Sequence, residues 1–144
     1  MAFTDLPADW PNRPLTEPRL VADVLDLLLS DADRRAGGLL IALCDADARL
    51  LQPIVIGDLP ARAAAGEGTE VLAPLFSGLA DDGLSGSLLL ALGRPDGLSI
   101  TAGDRAWRDA AEHACGGAFR LIGLHVVTPD GSREVPRSAA GGHT

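Results

Sequence analysis

Ser87-Leu88-Leu89-Leu90-Ala91-Leu92-Gly93-Arg94-Pro95-Asp96-Gly97-Leu98-Ser99-Ile100-Thr101-Ala102-Gly103-Asp104 is the stretch on which the fold turns. Its first part is an unbroken apolar run with no polar alternation. A short run of this kind reads as a strand buried on both faces, and so as a central strand. Its second part is rich in Gly, Pro, Asp and Ser, which marks a loop. Its end opens a helix. Thr101 is placed as an N-cap and Asp104, three residues on, reaches back in a shorter version of the capping box. Trp107, Ala110, Ala111, Ala114 and Ala118 then share one face, so a helix over 102–118 is predicted to lie close to the sheet through small residues.

The pattern repeats on either side. After the helix, Leu121 to Val127 is a further strand, closed by the turn Thr128-Pro129-Asp130-Gly131. Before it, Val71, Leu72, Leu75, Phe76 and Leu79 give a helical stripe that Gly83 ends, with Pro74 either in the first turn or at a kink. Residues 61–68 read as a mobile loop. Further upstream, Leu39 to Cys44 is a second continuous apolar run, and Asp45-Ala46-Asp47-Ala48 is a turn. Leu50 to Ile56 returns as the second arm of a hairpin. Pro53 cannot donate to a ladder, which puts that arm at a sheet edge or at a bulge. Leu20, Val21, Val24, Leu25 and Leu28 predict a first helix over 17–30, with Thr16 as its N-cap. The order is α-β-β-α-β-α-β, which predicts an α/β fold with a three-layer-like mixed sheet and flanking helices.

Residues 1–16 hold Pro7, Pro11 and Pro14 and read as an extended N-terminal arm. Phe3, Leu6 and Trp10 are available to pin it to the single domain over 17–136. Residues 137–144 have no periodicity and read as a disordered tail. With 144 residues the chain suits one domain, which buries roughly 68–70% of the surface of its unfolded chain. Its aromatic content is 3%, so Leu, Val, Ile and Ala must build the core.

The formal net charge of −8, with no lysine, argues against a grip on nucleic acid or anionic lipid. No signal peptide or membrane span is evident, and a cytoplasmic location is expected. Cys44 and Cys115 read as small buried core residues rather than a disulfide or metal pair. His113 and Cys115 point about 200° apart on a helix and cannot share an ion. His125, inside an apolar strand, reads as a packed histidine with a satisfied ring nitrogen. There is no HxH, HExxH, GxGxxG, Walker lysine or GxSxG, so no metal or cofactor is implied and no nucleophilic triad assembles.

One arrangement remains. Arg94, Asp96, Ser99, Thr101 and Asp104 converge on the carboxyl end of the central strand, where open α/β sheets place ligand sites. A turn plus a capped helix, with Arg94 paired to a carboxylate, uses the same residues and is the preferred reading.

This stretch resembles the RadC-like branch of the JAB/MPN metalloprotease-like domains, within a JAB/deaminase-like fold. In that family the strand leads into His-x-His-Pro-Ser-Gly, and Ser-x-x-Asp follows at the start of the next helix. Here Pro95-x-Gly97 keeps the frame, and Thr101-x-x-Asp104 matches Ser-x-x-Asp with one residue fewer between. The hairpin ending Gly57-Asp58 and the strand Leu121–Val127 also fit, so the resemblance spans about residues 34–128. The resemblance implies a zinc site of two histidines and an aspartate. Leu92 and Arg94 stand at the histidine positions, only Asp104 is kept, and no upstream glutamate matches the general base. It therefore implies a metal-free relative in which the Arg94 cation replaces the charge of the metal. The function expected is a non-catalytic interaction or scaffold module with a protein partner, a homodimer included. The alternatives are a small-molecule or anion sensor built on an Arg94 pocket and a hydrolase of unrecognised chemistry.

Overall fold

The computed structural model describes residues 10–56, 68–83, 85–95, 97 and 99–136. Five strands form one open mixed sheet, with helices on both faces. In chain order the strands are β1 (Leu39–Cys44), β2 (Leu50–Ile56), β3 (Gly86–Gly93), β4 (Phe119–Thr128) and β5 (Gly131–Glu134). Their order across the sheet is β2-β1-β3-β4-β5. The run Leu88–Leu92 is central, as its continuous apolarity predicts, and every one of its residues is buried. β1 lies antiparallel to both β2 and β3, whereas β4 lies parallel to β3. The parallel step requires a crossover, and the helix α4 (Ala102–Cys115) supplies it. β2 is an edge strand, where the missing N–H of Pro53 is tolerated, and the β1–β2 ladder has a bulge beside Leu43 and Cys44.

One core layer lies between the sheet and two helices, α3 (Gly68–Asp81) and α4. Leu72 and Phe76 of α3 and Trp107, Ala111 and Cys115 of α4 meet Leu39, Ile41, Leu88, Leu90, Leu92, Leu124 and Val126 of the sheet. Phe76 and Phe119 meet edge to face with ring centroids 6.2 Å apart. Ala110 is buried and Ala114 packs against the same cluster, so the small-residue face is the sheet-facing one. The opposite layer is formed by α1 (Pro18–Leu28). Its Leu20, Val21, Val24 and Leu25, with Leu29 just beyond it, cover Leu40, Ala42, Leu89, Ala91 and Val127.

Several expectations need correction. The first helix does not run over 17–30. It stops at Leu28, and Ser30 caps a separate short helix, α2 (Asp31–Ala36), which Gly37 ends in the left-handed region with φ 79°. Glu17, not Thr16, is the N-cap residue of α1, without a side-chain cap. Helix α3 starts at Gly68, so of the two placements offered for Pro74 the first turn is excluded and the residue lies in the helix interior. Helix α4 ends at Cys115 instead of 118. Beyond the turn at Thr128–Gly131 a fifth strand, absent from the predicted order of elements, pairs back on β4 as β5.

The proline-rich N-terminal segment is docked where it is described. Trp10–Asn12 form a 3-10 turn rather than extended chain, Trp10 packs against the α1 layer, and Leu15 is fully buried. The Leu15 N–H donates to the Ala48 carbonyl at 2.8 Å. Ala48 occupies a left-handed turn position, and the Asp45 carboxylate accepts the N–H groups of Asp47 and Arg49 in that turn. Residues 1–9, the 57–67 segment and the 137–144 tail lie outside the described residues. Among the described residues, no helix is long and apolar enough to cross a membrane.

Candidate functional site

The carboxyl end of β3 delivers Arg94 one residue beyond the strand, where its N–H donates to the Val127 carbonyl of β4 at 2.9 Å. Helix α4 begins eight residues later. Thr101 caps it: the Thr101 hydroxyl accepts the Asp104 N–H at 3.1 Å, and the Asp104 carboxylate accepts the Thr101 N–H at 2.9 Å. The reciprocal capping box is therefore complete. It holds the Asp104 side chain on the inner side of the helix start, where the residue is 3% exposed. The helix dipole favours a carboxylate there.

The Arg94 guanidinium crosses the loop to meet it. Nη2 pairs with Asp104 Oδ1, and Nη1 donates to the Ser99 carbonyl at 3.1 Å. Arg94 keeps 23% of its side chain exposed. Of the five residues gathered by sequence reasoning, the structure thus joins Arg94, Thr101 and Asp104 through side chains, and Ser99 through its backbone. Asp96 lies outside the described residues. Both carboxylate oxygens of Asp104 are engaged, one by a cation and one by a backbone donor.

Leu92, two residues before Arg94, is buried in the α3/α4 core layer. The residues at the positions that the resemblance gives to zinc are therefore an apolar core side chain, a guanidinium and an already paired carboxylate. Such a set does not fit zinc, which needs nitrogen, sulfur or free carboxylate donors. Among the described residues no group of three or more His, Cys, Asp or Glu side chains converges as a metal site.

Comparison with protein-family models, with curated proteins and with solved structures finds no match to this chain.

The remaining titratable side chains behave as core groups. Burial pushes the Cys44 thiol up to about 12 and the Cys115 thiol up to about 11, so neither is a thiolate nucleophile near neutral pH. His125 sits on β4 beside a cavity of about 100 Å³ shared with Leu15, Val21 and Glu134. Burial, and secondarily the Arg108 charge, lowers its pKa to about 4. Contrary to expectation, its ring has no hydrogen-bond partner among the described residues. The adjacent cavity gives its nitrogens room for water.

Sequence reasoning missed Arg34. This side chain of α2 is 3% exposed and lies near the ends of the same two strands, but on the α1 side of the sheet. Its Nε donates to the Leu29 carbonyl at 2.9 Å and its Nη1 to the Thr128 carbonyl at 3.0 Å. Its Nη2 donates to both the carbonyl and the carboxylate of Asp26, at 3.2 and 2.9 Å. Gly93 is the partner of this arrangement: a Cβ there would come within 2.9 Å of the Arg34 Cα, so only glycine admits α2 so close to the strand end. A cap signal, Ser30-x-x-Asp33 followed by Gly37, was available to announce α2.

Proposed function

We propose that this chain is a non-catalytic interaction or scaffold module on a degenerate, metal-free RadC-like JAB/MPN fold. The observation that carries the reading is the ion pair between Arg94 and Asp104. The resemblance puts a metal ligand at each of these positions. Here a permanent cation neutralises the carboxylate directly, and the neighbouring ligand position is an apolar core residue, Leu92. The order of elements supports the same reading. A hairpin lies antiparallel on one side of β3, a helical crossover leads to a parallel strand on the other, and the capped helix starts beside the strand end. Conserving that scaffold while filling the metal position with a salt bridge keeps the shape and removes the chemistry. The remaining use of such a domain is contact with a protein partner, a second copy of the chain included.

The test is metal affinity. The purified chain is expected to hold no stoichiometric zinc by elemental analysis, and the Leu92→His/Arg94→His double variant is expected to gain zinc affinity through the two histidines and Asp104. Stoichiometric zinc in the unaltered chain overturns the metal-free reading. Absence of zinc binding in a folded double variant overturns the register, and with it the resemblance.

The exposed quarter of the Arg94 side chain favours a second reading, a sensor for a small anion at this strand end. An anion must there displace Asp104 from the guanidinium. A rise in melting temperature with phosphate or a small carboxylate, lost in Arg94→Ala, is the outcome that selects the sensor.

A further inference from the structure

We propose that the cavity between α1, α2 and the β4–β5 turn binds a small organic cation that also carries hydroxyl or carbonyl acceptors, of amino-alcohol or amino-sugar type. The cavity holds about 430 Å³ and is walled by Asp26, Asp31, Arg34, Val127, Asp130 and Ser132, among others. That volume lies in the range of roughly 300–1,000 Å³ typical of small-molecule sites. It opens at the carboxyl end of β4, next to the parallel strand β3, which is where α/β sheets place ligands.

Two independent features define the ligand. The first is a hydrogen-bond donor without an acceptor. A guanidinium carries five N–H groups. Arg34 donates four hydrogen bonds, to Leu29, Thr128 and twice to Asp26. The Asp31 carboxylate, whose Oδ1 stands 3.9 Å from Nη1, is beyond hydrogen-bond reach of the second Nη1 N–H. One N–H of a side chain that is 97% buried thus lacks an acceptor among the described residues, and that side chain lines the cavity. An oxygen acceptor on a ligand completes it. The second feature is the sign of the charge. Asp26 neutralises Arg34. The Asp130 carboxylate has no partner among the described residues, and that of Asp31 reaches Arg34 only at 3.9 Å with 71% of its side chain exposed. These two uncompensated carboxylates at the mouth repel an anion and attract a cation. Val127 and Pro129 leave apolar wall for the carbon skeleton.

The test is a titration of the full-length chain, followed by amide chemical shifts at about 0.15 M salt, where general attraction to an acidic protein is screened. The probes are ethanolamine, serinol and glucosamine, with glucose as an acceptor lacking the cation and spermidine as a cation lacking oxygen acceptors. At least one of the first three is expected to give saturable shifts confined to residues 22–34 and 127–132, with a Kd of about 1 mM or below. Glucose and spermidine are expected to bind at least tenfold more weakly. Asp31→Asn and Asp130→Asn, both at exposed positions, are expected to weaken binding about tenfold each, whereas Asp109→Asn, exposed on α4, leaves it unchanged. The proposal is overturned if none of the three amino-alcohol probes saturates by about 20 mM. It is equally overturned if spermidine binds as well as they do, or if Asp109→Asn weakens binding as much as the two cavity variants.

Discussion

Two arginines stand at neighbouring strand ends, one on each face of the sheet, and they are put to different uses. Arg34 is 3% exposed and its four hydrogen bonds tie α2, from its last turn, to the end of α1 and the end of β4. Arg94 is 23% exposed and its two side-chain bonds stay within one loop-to-helix connection. Burial decides the difference. A guanidinium out of water must be met by acceptors, and a backbone arranged to meet it is locked by it. A guanidinium that keeps part of its surface in water needs fewer protein acceptors, and water can replace some of its bonds. Arg34 is therefore a structural tie that leaves one donor over, whereas Arg94 closes a position that the resemblance assigns to a ligand.

The largest expected effect follows from the buried member. Arg34→Met removes the hydrogen bonds that hold α2 against α1 and β4 and leaves Asp26 without its cation. It is expected to destabilise the fold by about 3–5 kcal/mol, measured by urea denaturation at pH 7. A loss below about 1 kcal/mol would put Arg34 in the same class as Arg94 and dissolve the contrast.

The contrast also shows what the sequence made legible. Leu88–Leu92, Leu39–Cys44 and the Trp107/Ala111 face are apolar stretches, and apolar periodicity is the signal that survives in a single sequence. The central strand, the hairpin and the helix packed on the sheet were all readable from it. Asp31–Ala36 and Gly131–Glu134 carry no such signal, because each is short and polar. One is held by the Ser30 cap and the buried guanidinium, the other by pairing on β4. Tertiary contacts, not propensity, make these elements. The Arg94–Asp104 pair was legible because a capping box and a strand end place both residues within a few positions of each other. The Arg34 tie was not, since its partners Asp26 and Thr128 lie 8 and 94 residues away.

A second measurement uses a half-buried group on the α1 side of the sheet that is not tied in. His125 has a pKa lowered to about 4 by burial, against 6.5 for an unperturbed histidine. The folded state therefore binds fewer protons than the unfolded state between these values. Stability from neutral His125 is fully present above pH 6.5 and declines as pH falls from 6.5 to 4, by up to about 3 kcal/mol. Below 4 both states are protonated and the term is constant. The slope of unfolding free energy against pH over this window is expected to shrink in His125→Gln. An unchanged slope would mean that His125 is solvated through its adjoining cavity and titrates like a surface group.

The smallest effect belongs to Arg94, and its size bears on the functional reading. Truncation by Arg94→Ala removes the cation from Asp104, but it also opens the route by which water reaches that carboxylate, and the Thr101 N–H still holds its second oxygen. The expected loss is about 1 kcal/mol. A double-mutant cycle of Arg94→Ala with Asp104→Ala isolates the pair from the capping box, because the cap contribution of Asp104 appears in both arms and cancels. A coupling energy of about 1 kcal/mol or less leaves the pair available to a partner or an anion, since binding there then has little stability to overcome. A coupling energy near 3 kcal/mol would instead make it a second structural tie, equivalent to Arg34 with Asp26. In that event the strand end is built for stability, and the case for reading it as a vacated metal site reused for recognition loses its physical basis.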